Sequence, residues 1–83
     1  MSELRVLFFS SARKATGCAE TKIACESHGI GESTLWERLL ADFPGLEPLR
    51  SSVRLARNFE YITAGQYFYP EDEAAVIPPV SGG

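Results

Sequence analysis

Few residues of this 83-residue chain combine the types and spacing that chemistry requires. The single histidine, His28, lies between Ser27 and Gly29 with no second ligand at metal spacing, so it reads as a loop residue. Glu71, Asp72 and Glu73 are consecutive, which suits a solvated turn better than a cation cage, and no metal is expected. Cys18 and Cys25 form no C-x-x-C pair and are too few for a zinc ribbon; each reads as a small apolar filler rather than a sulfur relay. Glycines stand singly except at the end, so no loop cradles a phosphate, and no Ser-His-Asp or Cys-His constellation can be assembled. The chain is not expected to carry an active site of its own.

What remains is the ending, "PPVSGG". A carboxylate on Gly83 is a group that another enzyme can activate: joined to AMP it becomes an acyl adenylate, open to attack by sulfur or by an amine. Gly82 and Gly83 lack a Cβ, so the chain there can pass a narrow channel and bring its carbonyl close to ATP. Pro78 and Pro79 stiffen the base of the tail into an extended conformation, which lowers the entropy lost on insertion. With Val80 and Ser81 between, the six residues reach on the order of 20 Å when extended.

The elements that must hold this tail are legible from periodicity. Leu4 to Phe9 is rich in strand formers and apolar on both alternating sets, Leu4, Val6 and Phe8 against Leu7 and Phe9. "SSARKATGC" reads as a polar loop, and Ala19 to Glu26 as the strand that returns from it in a hairpin. "TLWERLLADF" is the clearest helix. Thr34 with Glu37 three residues on predicts a capping box, and Leu35, Leu39, Leu40 and Phe43 share a face with Trp36 at its border. Pro44-Gly45 ends it. "GLEPLRSS" reads as an irregular or short helical connection, "VRLAR" as a third strand, Asn58 as a turn before "FEYIT", and Ala64-Gly65-Gln66 as another turn. "QYFYPEDE" fits a short strand or a packed loop, and "EAAVIP" is a last strand ended by Pro78-Pro79.

A hairpin, a helix across a mixed sheet and a last strand beside the first make an α+β roll. Residues 1–77 are expected to form the domain and 78–83 an extended tail. One sheet face lies on the helix; on the other, Phe9 and Ile77 form the expected apolar patch, the mark of an interface unless Phe68 and Tyr69 fold over it. A formal net charge of -3 argues against a nucleic-acid footprint. The start "MSELRVLFF" has no signal-peptide pattern and no run reaches membrane-spanning length, so a reduced, cytoplasmic protein without membrane contact is expected.

The segments "VLFFSSARKATG", "TLWERLLADFPGL", Asn58 and "DEAAVIPPVSGG" together span most of the chain, and on them it resembles the small, ubiquitin-like subunits of molybdopterin synthase. The resemblance implies a β-grasp sulfur carrier. It departs from the family at Glu71-Asp72-Glu73, where a Gly-Asp-Glu turn is common. Implied with it are an activating enzyme of the ubiquitin-activating (E1) type that adenylates Gly83 with Mg-ATP, and a sulfur donor that converts the adenylate to a thiocarboxylate. A large subunit, in a heterotetramer, then takes up the tail (Pro78, Pro79, Val80, Ser81, Gly82) and supplies the acid-base groups that act on cyclic pyranopterin monophosphate. No cofactor is bound by this chain itself. By position in the family pattern, Phe9, Arg13, Tyr61 and Ile77 meet the partners. Two other uses of the same adenylate are a protein modifier joined through Gly83 to lysines and a carrier for thiamin thiazole synthesis; a plain interaction domain with an inert tail is a further reading.

Overall fold

Leu4, Val6 and Phe8 alternate along the first strand, β1 (Glu3–Phe8), and all three are buried while the residues between them face outward. In the computed structural model, which describes residues 2–63 and 65–78, β1 is flanked on one side by β2 (Glu20–Ala24) and on the other by β7 (Glu73–Ile77). The β1–β2 pairing is antiparallel and the β1–β7 pairing parallel. Beyond β7 lie β4 (Arg54–Arg57) and β5 (Glu60–Tyr61), both antiparallel to their neighbours, giving the order β2-β1-β7-β4-β5. The expected pairing of the last strand with the first holds.

Between β1 and β2 the chain is not a loop. Residues Ser10–Thr16 form a short helix, α1, whose Ala12 is fully buried and whose end is fixed by Gly17 at φ 78, its N–H donating to the Arg13 carbonyl. Only alanines mark its buried face. A seven-residue helix is far too short to stand alone in water, so its stability comes from packing that local sequence does not announce.

The main helix, α2 (Glu32–Asp42), buries Leu35, Trp36 and Leu39 against the sheet. It starts two residues before the expected cap. Ile30–Gly31 forms β3, paired with β6 (Tyr67–Phe68), and that pairing ends at Gly31, which is the N-cap and offers no side chain. Thr34 is therefore inside the first turn and caps nothing, and Glu32 supplies the negative charge that suits a helix N-terminus. Trp36, expected at the border of the face, is buried with it.

A 3-10 helix over Pro44–Leu49 follows, with Leu46 fully buried, in agreement with a short helical connection. It packs on α1 so closely that a Cβ on Gly45 would lie 2.8 Å from the Ala15 carbonyl oxygen. Phe8 meets Phe43 edge-on at 5.4 Å between ring centres, which seats the end of α2 on β1. Phe68 is fully buried within the core and so does not cover the far side of the sheet; Tyr69 lies beside Gly29, where an added Cβ would be 2.7 Å from its ring. "QYFYPEDE" is thus a short strand followed by a tight loop. No helix among the described residues is long and apolar enough to cross a membrane.

Candidate functional site

The strand registers decide which residues share the sheet face that carries no helix. Leu7 pairs with Glu20 on β2 and Ala75 on β7, Ala75 with Ala56 on β4, and Ala56 with Tyr61 on β5. The next row toward the C-terminal end of β7 holds Ile77 opposite Arg54. Phe9 follows β1 beside Ile77, its N–H donating to the Val76 carbonyl at 3.3 Å. These two rows form an apolar strip of Leu7, Phe9, Ala75, Ile77, Ala56 and Tyr61. Phe9 is 46% exposed and Tyr61 52%, so two aromatic rings of this face stand open to solvent.

The row below is charged. Arg5 donates to both carboxylate oxygens of Glu20, at 3.0 and 3.1 Å, and to Glu73 at 3.2 Å. These hydrogen bonds, and the opposite charge, hold the Glu20 carboxyl below its ordinary range and the Arg5 guanidinium above its own. The clasp bounds the apolar strip and spans β2, β1 and β7.

Three of the four expected contact residues, Phe9, Ile77 and Tyr61, stand on this face. Arg13 lies one turn beyond Phe9 on α1, exposed, its N–H directed to the Phe9 carbonyl at 3.4 Å. Pro78 is buried, so the chain is anchored to the domain one residue past β7. The expected tail positions Pro79, Val80, Ser81, Gly82 and Gly83 lie outside the described residues. What the domain fixes is where the tail begins: next to Phe9 and Ile77.

Two features escaped sequence reasoning. Arg54 places its guanidinium 4.1 Å from the centre of the Tyr61 ring, on the same face; the alternation of Arg54 and Ala56 against Val53, Leu55 and Arg57 is the signal that held this placement. Phe59, in the two-residue turn between β4 and β5, is 91% exposed at φ 73 beside Asn58 at φ 51. Elsewhere the described residues offer little chemistry. No three His, Cys, Asp or Glu side chains among them gather as a metal site, and burial pushes the Cys25 thiol up, away from the reactive thiolate. A cavity of about 390 Å³ lies between α2 and β4, lined by Glu32, Trp36, Arg50, Leu55 and, where it borders the apolar strip, Arg54.

The family model for ThiS, described as the ThiS family, matches residues 6–83, which is nearly the whole chain and includes the Gly-Gly ending. The chain belongs to the ThiS family. Members of similar sequence include the molybdopterin synthase sulfur carrier subunit of Arabidopsis thaliana, 41% identical over 98% of this chain and 83% of that protein. The subunit of the same name from Homo sapiens is 33% identical over 100% of this chain and 97% of that protein. Among solved structures, SAMP1 from Haloferax volcanii superposes with a TM-score of 0.82 at 22% identity, covering 98% of this chain and 99% of that one. The complex of subunits 1 and 2 of the molybdopterin-converting factor from Helicobacter pylori holds a chain that matches with a TM-score of 0.67 at 20% identity, covering 98% and 99%. This ThiS-family chain therefore has the β-grasp, ubiquitin-like roll, and its apolar strip is the surface of that roll left free by its helices.

Proposed function

We propose that this chain is the sulfur-carrier subunit of a molybdopterin synthase, which docks through the apolar strip and donates sulfur from Gly83. The observation that carries this reading is the juxtaposition of exposed Phe9 with Ile77 at the point where buried Pro78 leads into the Gly-Gly tail. A docking surface and the root of the tail are then one place, so binding a partner there delivers the tail to it. The names borne by relatives over nearly the full chain support the same reading.

The chemistry follows from the carboxylate. Its oxygen attacks the α-phosphorus of Mg-ATP on an E1-like activating enzyme, pyrophosphate leaves, and Gly83 carries a mixed anhydride with AMP. Sulfur delivered at the sulfide level by a donor protein attacks the acyl carbon, the acyl–phosphate bond breaks with AMP as leaving group, and a thiocarboxylate remains, anionic at neutral pH and nucleophilic at sulfur. On a large subunit the sulfur attacks a carbon of cyclic pyranopterin monophosphate and displaces the oxygen which that carbon bears; water then cleaves the acyl–sulfur bond, leaving the sulfur on the pterin and restoring the carrier's carboxylate. Two deliveries build a dithiolene. The carrier contributes position, turning a bimolecular attack into one inside a docked complex, while acid-base groups belong to the large subunit.

Incubation with an activating enzyme, ATP and a sulfur donor tests this by intact mass. One oxygen of Gly83 should be exchanged for sulfur, and the product should convert the pterin when the large subunit is added. Sulfur on Cys18 or Cys25 instead, or Gly83 found in isopeptide bonds to lysines with no thiocarboxylate, overturns the proposal.

A further inference from the structure

Among the cations on the sheet face without helices, Arg5 is neutralised by Glu20 and Glu73, and Lys22 stands on the edge strand β2 next to Glu20. Arg54 differs from both. It pairs in register with Ile77, inside the apolar strip, and no carboxylate lies within 4 Å of it among the described residues. Its guanidinium lies instead over the Tyr61 ring at 4.1 Å. Ala56, whose register places it between Tyr61 and Ala75 on this face, is only 2% exposed, so the large neighbours around it form a packed roof rather than loose side chains.

A stacked guanidinium keeps its in-plane N–H donors free while losing little further side-chain entropy when they are used. Its fork matches a carboxylate, with two parallel charge-assisted hydrogen bonds. The chain as a whole is acidic, with a net charge of -3, so a held cation amid apolar residues is a local reversal of the field a partner meets.

We infer that the Arg54–Tyr61 stack is the charge-reading element of the docking strip and takes a carboxylate side chain of the large subunit. This rests on the docking role given to the strip above. It adds a contact residue beyond Phe9, Arg13, Tyr61 and Ile77, and it gives the association an electrostatic part where the rest of the strip is apolar. Seated beside Ile77, one residue before Pro78, the pair fixes the rotation of the carrier on its partner at the root of the tail.

Titration of the large subunit with full-length carrier at low and high ionic strength tests the inference, using Arg54→Gln, Arg54→Glu and Phe9→Asp. Reversal of the charge should weaken Kd by about tenfold or more at low salt, within the range measured for close charge pairs across interfaces. The gap from the parent should narrow as salt screens it. Arg54→Gln, which keeps size and hydrogen bonding, should lose less and show a flatter salt dependence than the parent. All variants should melt near the parent, and should reversal unfold the domain, Arg54→Gln alone decides. Parental affinity and salt dependence in Arg54→Gln and Arg54→Glu, with Phe9→Asp unable to bind, would overturn the inference and leave the docking face standing. Parental binding by Phe9→Asp as well would remove the docking face itself. Unchanged binding with slowed adenylation in the Arg54 variants would show that the cation reads the activating enzyme or its nucleotide, and would also overturn the inference.

Discussion

Asn58 and Asp72, fourteen residues apart, are joined by a hydrogen bond of 2.9 Å from the Asn58 amide to the Asp72 carboxylate. Around it, the Glu73 N–H donates to Asn58 Oδ1 at 2.8 Å and the Tyr69 N–H to Asp72 Oδ2 at 2.9 Å. Two side chains thereby tie the β4–β5 turn to the loop that leads into β7, the strand that carries the tail. Asn58 also occupies φ 51, a conformation that asparagine tolerates and alanine does not. Asn58→Ala should cost about 2 kcal/mol, the sum of lost hydrogen bonding and left-handed strain. Urea unfolding would measure it as a lowered midpoint at unchanged slope.

Phe8, the last residue of β1, and Phe9, the residue after it, turn to opposite faces of the sheet, and they should respond differently to substitution. Phe8→Ala empties a core site against Phe43 and should cost about 3–5 kcal/mol. Phe9→Asp should leave the melting temperature within a few degrees of the parent and abolish capture of the large subunit. Unfolding of both variants would place Phe9 in the core and remove the interface.

At Phe59 the β4–β5 turn holds two consecutive residues at positive φ, the type I′ geometry in which asparagine followed by glycine is favoured. A phenylalanine there bears left-handed strain, and at 91% exposure it has almost no packing to lose. Phe59→Gly should therefore raise stability by about 0.5–1 kcal/mol, after allowance for the greater freedom of glycine in the unfolded chain. A lowered unfolding midpoint would show that the ring has a contact in the folded protein.

The Arg5 clasp should make stability depend on acidity. Hydrogen bonds from Arg5 hold the Glu20 carboxyl below its ordinary value of 4.5 in the folded state. Between the folded value and 4.5 the unfolded chain binds more protons than the folded one, so stability rises with pH through that window. The contribution is complete above 4.5 and is lost as the pH falls through the folded value. Glu20→Gln should flatten this acid limb in melts across the range, with little change near neutrality beyond the loss of a solvent-exposed ion pair.

The sequence by itself determined whatever repeats within a few residues. Alternation over Leu4, Val6 and Phe8, and over Ala74 and Val76, set the inner and outer faces of β1 and β7. The helical spacing of Leu35 and Leu39 set the buried face of α2, and the glycine and proline ending marked the tail. Tertiary structure alone decided what depends on partners distant in the chain. Helix α1 forms because the Gly45 segment packs against it, and α2 begins at Glu32 because β6 pairs with the residues just before it. Arg5 finds Glu73 sixty-eight residues away only when β7 lies parallel to β1. Arg54 reaches Tyr61 only because a two-residue turn fixes the hairpin register, and the strip gains Ile77 beside Phe9 only because β7 enters between β1 and β4. The physical reason is common to all of these: a side chain's alternation is a property of its own strand, whereas its neighbour across the sheet is set by backbone pairing between segments far apart in sequence.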